Sequence, residues 1–381
     1  MELSVKFMRI FTRVFRIFPI ANDKVVITSF NGRLFNCNPK YLAIALADTD
    51  LKVYYALRNP KAGNQIPEKI HIVKYRSLKH FYLLMTSKYI VVNSAGVAGL
   101  LPYRKKQQLI CTAHGGGSFK YTGVKIFKSK EALKKRKISG DNTTYYLSSS
   151  RKFTEDQSEA MLVNEKKFIN TGMPRNDILF GDHPEVLKRV KEHYHIPEET
   201  GIILYAPTYR DGPVKSISGY GFEPLDVDQV IDACRKRFNK DFVFLFKAHH
   251  DMLPESMSEA SINASDYSDT QELLYCADVM ISDYSTIQWD YSLMRRPGFL
   301  YGPDLEQYMS VHPFFQDYHE WPFAMSRSNE ELVDSILHYD EDAGKKRIET
   351  YLDQLGSYDV GTAIPQTLKI VFGIEPGKTN R

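Results

Sequence analysis

Short apolar runs alternate with amphipathic stretches along most of this chain. β-rich runs fall at 24–30 (KVVITSF), 51–57 (LKVYYAL), 70–75, 89–93 (YIVVN), 108–112 (QLICT), 144–148 and 168–171, and 39–47 and 78–86 between them read as helices. Apolar runs without period-two alternation, separated by helices, predict parallel strands buried on both faces. The pattern then restarts. Strands are predicted at 202–206, 242–247 (FVFLFK), 279–282 (VMIS) and 298–301, with helices at 227–238, 270–276 and 286–294. The charged segment 178–200 marks a boundary, giving two α/β halves at 21–185 and 186–372 with a short tail at 373–381. Residues 330–372 read as helical and are expected to pack back across the halves. Ligands of open α/β sheets sit beyond the carboxyl ends of strands, so two such halves predict a cleft between them that suits a two-substrate enzyme.

Residues 1–20 break the pattern. Lys6, Arg9, Arg13 and Arg16 share one face of a helix over 2–18, Pro19 ends it, and Phe7, Ile10, Phe11, Val14, Phe15, Ile17 and Phe18 fill the remainder. Bulky apolar groups beside cations, with no acid from 3 to 22, suit an anionic membrane surface. The plainer alternative is a helix docked on the first half with its cations in water.

Composition narrows the class. With 43% hydrophobic and 25% charged residues, the chain is globular rather than disordered, collagen-like or polytopic. Fifty basic and 46 acidic residues leave only +4, weak support for a nucleic-acid partner. Cys37, Cys111, Cys234 and Cys276 form no CxxC pair and lie near no His pair, which argues against zinc and disulfides and fits a reducing cytoplasm. The cations of residues 2–18 interrupt any signal-peptide core, and no uncharged apolar run reaches 18 residues. Lys120, Lys125, Lys128, Lys130, Lys134, Lys135, Arg136 and Lys137 face one acid, Glu131. That stretch is either a solvated helix face or a basic surface for a phosphate-rich acceptor or anionic lipid.

Candidate chemistry clusters after strands. His114 precedes Gly115, Gly116 and Gly117, a loop whose backbone N–H groups can approach a ligand beside a proton acceptor. A glycine-loop esterase is a poor fit, since no GxSxG elbow occurs. Thr208, Tyr209, Arg210 and Asp211 end one strand, and Lys247, His249 and His250 end another, where a Lys–His pair can neutralise a pyrophosphate. A metal at HHD lacks a suitably spaced partner, so no metal and no cofactor are expected. Asp283, Ser285 and Thr286 open a predicted helix, either as plain caps or as an anion site.

Six blocks in order, FNGRLFNCNPKY (30–41), AHGGGSFKYTG (113–123), TGMPRND (171–177), YAPTYRD (205–211), FKAHHD (246–251) and ADVMISDYST (277–286), resemble the CDP-glycerol glycerophosphotransferase family of teichoic acid and capsule synthesis. The resemblance implies a GT-B fold of two Rossmann-like domains, the first for the acceptor and the second for the CDP donor. It also implies peripheral attachment to the cytoplasmic face of the membrane. The activity implied is transfer of a polyol phosphate from a CDP-polyol to the hydroxyl of a lipid-linked or polymeric acceptor, with CMP released. The family's two catalytic histidines fall on His114 and His249, and its donor-binding positions on Thr208, Arg210, Asp283, Ser285 and Thr286; Lys247 joins the phosphate site. Departures are Ala113 in place of Trp, Gly116-Gly117 in place of Thr-Pro, His250 in place of Pro, and Gln366 where the family often has Arg. The alternatives are a GT-B glycosyltransferase using a nucleotide sugar, and a non-catalytic scaffold of a surface-polymer complex.

Overall fold

The apolar runs fold as two all-parallel sheets in the computed structural model, which describes residues 3–60, 66–208, 210, 223–248 and 258–375. The chain divides into two units. The first comprises Met1–Gly116, Thr122–Asp177 and Ser357–Arg381, and the second Gly117–Tyr121 and Ile178–Gly356.

The first unit's strands are β1 (Ala21–Thr28), β2 (Lys52–Leu57), β3 (His71–Lys74), β4 (Ser87–Val92), β5 (Gln108–Cys111), β6 (Thr143–Leu147) and β7 (Phe168–Ile169), in the order β3-β2-β1-β4-β5-β6-β7. Its helices are α1 (Leu3–Thr12), α2 (Cys37–Ala47), α3 (Leu78–Thr86), α4 (Lys130–Asn142) and α5 (Arg151–Met161). Successive strand residues point to opposite faces. Val25, Ile27, Val53, Tyr55 and Val91 therefore pack with Leu42 and Leu46 of α2, while Val26, Ile90 and Val92 pack with Leu83 and Leu84 of α3. Both faces are covered, and this is why these strands read as unbroken apolar runs.

The second unit repeats the plan. Strands β8 (Gly201–Tyr205), β9 (Phe242–Phe246), β10 (Ser261–Asn263), β11 (Val279–Ser282), β12 (Gly298–Tyr301) and β13 (Met325–Ser326) run in the order β10-β9-β8-β11-β12-β13. Helices α6 (Pro184–His193), α7 (Val227–Phe238), α8 (Thr270–Cys276) and α9 (Ile287–Ser292) belong to this unit. Helix α9 is shorter than the predicted 286–294, its first residue following a Thr286 that makes no side-chain cap bond.

The division falls after Asp177, ahead of the charged 178–200 segment, and the chain from Ser357 joins the first unit rather than the second. The cause is polar. Tyr358 N–H donates to Ser149 O at 2.7 Å, Met173 N–H to Asp359 Oδ1 at 2.7 Å, and Ala363 and Ile364 N–H to the Asp177 carboxylate at 2.8 and 2.7 Å. Hydrophobic periodicity carries no trace of such contacts.

The N-terminal segment is helical through α1 and continues as a 3₁₀ turn over Arg13–Ile17. Its four cations do not share one fate. Arg9, half-buried, donates to Leu100 O and Arg16 to Pro102 O, and Lys6, Arg13 and Arg16 are exposed. Phe15 packs edge-on against Tyr82, and Phe7, Ile10, Val14 and Ile17 remain 70, 66, 55 and 78% exposed. No helix among the described residues is long and apolar enough to cross a membrane.

Candidate active site

In each sheet the strand order reverses at one place, between β1 and β4 and between β8 and β11. Loops leaving such a pair diverge and open a crevice at their carboxyl ends. Among the described candidates, Thr208 and Arg210 follow β8 and Asp283, Ser285 and Thr286 follow β11, whereas His114 follows β5 and Lys247 follows β9, each one strand away from the reversal.

In the first unit, β1 runs into Ser29, Phe30 and Asn31, the last two with φ of 43° and 55°. Left-handed backbone at a non-glycine residue costs energy and must be held by its surroundings. Asn93, just past β4, supplies the hold: Oδ1 accepts from Phe30 N–H at 2.8 Å and Nδ2 donates to Ser29 Oγ at 3.0 Å. The Asn93 carbonyl oxygen lies 3.5 Å from His114 Nδ1, and the Phe30 ring meets the imidazole with centroids 5.5 Å apart. The backbone leading to His114 is clamped from below. Asn38 Nδ2 donates to Thr112 O and Ala113 O at 2.8 and 3.2 Å, and Arg175 Nη1 donates to His114 O at 2.8 Å. Asn38 and Arg175 are buried while the imidazole is exposed. With a proton on Nδ1 towards Asn93, Nε2 keeps its lone pair, the form a general base requires.

The glycines after His114 differ in what they do. A Cβ on Gly117 would stand 2.2 Å from the Phe119 ring. Phe119 is fully buried in the second unit, its ring centroid 5.0 Å from Trp321 and 6.3 Å from Tyr351. Gly117 is thus required by packing, and its carbonyl accepts from the Gln316 amide.

In the second unit, Asp283 follows β11 and binds the turn after β8. Its carboxylate accepts from Thr208 N–H at 2.9 and 3.0 Å and from Thr208 Oγ1 at 2.6 Å. Arg210 is only 3% exposed. Its Nη1 lies 2.8 Å from Asp283 Oδ2, its Nε 2.7 Å and Nη2 3.0 Å from the Asp304 carboxylate, and Nη1 also donates to Thr208 O at 2.7 Å. Its guanidinium carbon stands 5.0 Å from both the Tyr284 and Tyr308 ring centroids, and Tyr284 OH donates to Asp304 Oδ1 at 2.8 Å. Burial pulls the guanidinium pKa down, but Asp283 and Asp304 outweigh it and hold the charge firmly. The sequence suggests Arg210 as a phosphate ligand. In the structure its guanidinium pairs with two carboxylates and braces the turn that carries Thr208.

Ser285 and Thr286 are partly exposed, and Ser285 Oγ accepts from Ile287 N–H at 3.3 Å. Lys247 donates to Ser265 O at 3.1 Å and to Tyr267 O, and burial lowers its pKa to about 8 against the pull of Asp266 and Asp269. His249, His250, Tyr209 and Asp211 lie outside the described residues. Gln366 belongs to the first unit, where its amide donates to Thr362 Oγ1 at 2.7 Å. Sequence reasoning does not single out Asn38, Asn93, Arg175 or Asp304. Asn38 and Arg175 sit in two of the quoted blocks, which was the available signal; Asn93 and Asp304 sit past strand ends with no motif around them.

Two parallel sheets of this order, each with polar groups beyond the reversal of strand order, define a GT-B-like α/β protein. A solved structure of the wall teichoic acid polymerase TagF shares the fold with a TM-score of 0.82 at 22% identity, over 97% of this chain and 94% of that one. Residues 10–373 match the family described as CDP-Glycerol:Poly(glycerophosphate) glycerophosphotransferase, and the chain belongs to it. Among curated relatives, the teichoic acid poly(glycerol phosphate) polymerase of Bacillus spizizenii is 25% identical over 96% of this chain and 97% of its own length. The protein of the same name from Staphylococcus epidermidis is 26% identical over 89% of this chain, which spans 49% of that relative.

Proposed function

We propose that this chain transfers a polyol phosphate, glycerol phosphate foremost, from a CDP-polyol to an acceptor hydroxyl in teichoic acid or capsule-type polymer synthesis, releasing CMP. The observation that carries this reading is the clamp on His114: buried Asn38 and Arg175 fix its backbone, and Phe30 and Asn93 fix its ring. In the reaction, His114 Nε2 takes the proton of the acceptor hydroxyl. The oxygen attacks the polyol-bearing phosphorus, the bond to the CMP oxygen breaks, and CMP leaves with the electron pair. Phosphoryl transfer depends on positioning and charge stabilisation. The second unit contributes these through Thr208, Ser285, Thr286, Lys247 and His249 on the donor phosphates. Arg210 and Asp283 hold Thr208 in place. The first unit binds the acceptor and the second the donor.

Attachment to the cytoplasmic face of the membrane is part of the same proposal. The exposed Phe7, Ile10, Val14 and Ile17, flanked by Lys6 and Arg13, supply the apolar and cationic surface it needs. The test is a CMP-release screen over CDP-glycerol, CDP-ribitol and other CDP-polyols with lipid-linked acceptors. Release of CMP only when donor and acceptor are both present supports the reading. UDP or GDP release from sugar nucleotides would replace it with glycosyl transfer, and lipid binding without turnover would replace it with a scaffold.

A further inference from the structure

A cavity of about 460 Å3 lies wholly within the first unit. Its walls come from the loops after β1, β2, β3 and β4 and from one side of α4. Its charged lining is Arg58, Arg76, Lys135 and Arg136, and no carboxylate is among its described lining residues. Lys135 has a partner off the lining, Glu131 at 3.3 Å. Gathering four cations into one concavity costs repulsion unless an anion occupies it.

The cavity is built rather than incidental. Arg58 Nε donates to Asn31 O at 3.0 Å, and its guanidinium carbon lies 5.8 Å from the Tyr75 ring centroid. Tyr75 OH donates to Asn31 Oδ1 at 3.3 Å. Gly96 admits the Asn31 amide, because a Cβ there would stand 1.8 Å from Asn31 Oδ1, and Gly32 admits Tyr75, whose ring would be 2.7 Å from a Cβ. Arg76 has φ of 61°, and its N–H is held at 3.0 Å by Nδ1 of the buried His80. With Asn31, that makes two left-handed non-glycine residues on one lining. Such strain persists where surrounding structure imposes it, and it clusters at ligand sites.

Position says which anion. Asn31 directly follows Phe30, whose ring abuts His114, and Ala95 and Gly96 on the wall lie just past Asn93. The remaining wall is apolar, with Val97, Leu100, Val124 and Phe127. Leu100 is also the residue whose carbonyl receives Arg9 of α1, and Phe127 is 59% exposed at the rim. Cations opposite an apolar wall suit a phosphate esterified on both sides, with organic groups attached, better than free phosphate.

We propose that this cavity binds the phosphodiester of an acceptor that already carries a polyol phosphate, presenting its terminal hydroxyl to His114. The inference rests on the acceptor role proposed above for the first unit. Transfer leaves a new phosphodiester next to a new terminal hydroxyl, so each product has the feature the cavity reads. The site therefore selects primed acceptors over unprimed ones.

The test compares the full-length protein with its Arg58→Gln/Arg136→Gln variant. Binding is measured calorimetrically without donor, using glycerophosphoglycerol in solution and the same group on an octyl chain in micelles. The octyl glycerol ether, which lacks phosphate, is the blank. Wild type should bind the phosphodiester and not the ether, and the variant should bind it at least tenfold more weakly. Binding of the soluble probe assigns recognition to the phosphodiester alone, whereas binding of the micellar probe only assigns it to a lipid-borne acceptor; either supports the site if the variant loses it. In turnover with CDP-glycerol, the variant's KM for the phosphodiester acceptor should rise about tenfold with kcat and donor KM little changed, while Lys166→Gln, an exposed cation off the lining, changes neither. Equal binding by wild type and a variant with unaltered Tm overturns the proposal. Variant-sensitive binding in a protein that releases CMP from no CDP-polyol leaves the cavity's role standing and removes the transferase reading instead.

Discussion

Arg175 Nη1 donates to the carbonyl oxygen of His114 at 2.8 Å across 61 residues of sequence. The same nitrogen lies 3.4 Å from Cys37 Sγ, and the Arg175 N–H donates to Asn38 Oδ1 at 3.0 Å. One buried guanidinium thus ties the His114 loop to the start of α2. Lysine carries a point charge in place of the planar fork and cannot reproduce this geometry. Arg175→Lys should lower kcat about tenfold by loosening the imidazole, with CDP-glycerol affinity unchanged. A donor KM that moves as much as kcat would give Arg175 a different role.

His114→Ala removes the base while leaving the donor unit intact. Loss of a general base slows a reaction by about 10²–10⁴. Single-turnover CMP release should fall by that factor, with calorimetric CDP-glycerol binding within about twofold of wild type. A correctly folded variant with full turnover would remove His114 from the mechanism.

Much of this architecture is visible in sequence because parallel strands buried on both faces must be apolar throughout. Val25–Ile27 and Ile202–Leu204 announce themselves in this way. The strand order is not visible, and neither is the placing of both polar clusters at or one strand from the β1/β4 and β8/β11 reversals. Arg210 is legible as a cation beside Thr208, but its ion pairs are not. Its second counter-ion, Asp304, comes from a loop 94 residues on, and only the fold shows it. The return of Asp359 and Ala363 to the first unit escapes for the same reason, since each contact is a single hydrogen bond without periodicity.

Arg210 sets up a stability prediction. Asp304→Ala leaves a buried guanidinium with one carboxylate and strips Tyr284 OH of its acceptor. Breaking a buried ion pair from one side typically costs about 3–5 kcal/mol. Urea denaturation of Asp304→Ala should show a loss of that order. Replacing Arg210 with Met alongside Asp304→Ala should not recover it, because the buried Asp283 carboxylate then loses its own counter-ion. A loss under about 1 kcal/mol in the single variant would mean that water reaches Arg210.

Asp177 gives a pH dependence. Burial raises its carboxyl from 3.8 to about 6, against the opposing pull of the Ile364 and Ala363 N–H groups. The folded chain therefore holds this proton more tightly than the unfolded one. Its contribution is fully present below about pH 4, declines as pH rises to about 6, and is flat beyond. The span is up to about 3 kcal/mol. Asp177→Asn removes the titration, so its stability relative to wild type should climb between those pH values; the lost acceptor oxygen adds only a pH-independent offset. A constant difference from pH 4 to 7 would place the Asp177 carboxyl at its ordinary value.

The N-terminal helix separates two kinds of cation. Arg9 and Arg16 are engaged with Leu100 and Pro102 carbonyls, while Lys6 and Arg13 accompany the exposed Phe7, Ile10, Val14 and Ile17. Burying an aliphatic side chain in the interfacial region is worth about 1.5–3 kcal/mol, and each juxtamembrane cation strengthens binding to anionic lipid about fivefold at low salt. Ile10→Glu/Ile17→Glu should therefore abolish co-sedimentation with phosphatidylglycerol vesicles. Lys6→Gln/Arg13→Gln should weaken it by about 25-fold on anionic vesicles and hardly at all on neutral ones, with the difference shrinking as salt rises. Arg9→Gln should leave vesicle binding nearly intact and lower Tm, because its guanidinium is spent on the protein's own backbone. Vesicle binding that follows Arg9 and Arg16 rather than Lys6 and Arg13 would mean that the helix undocks before it meets lipid.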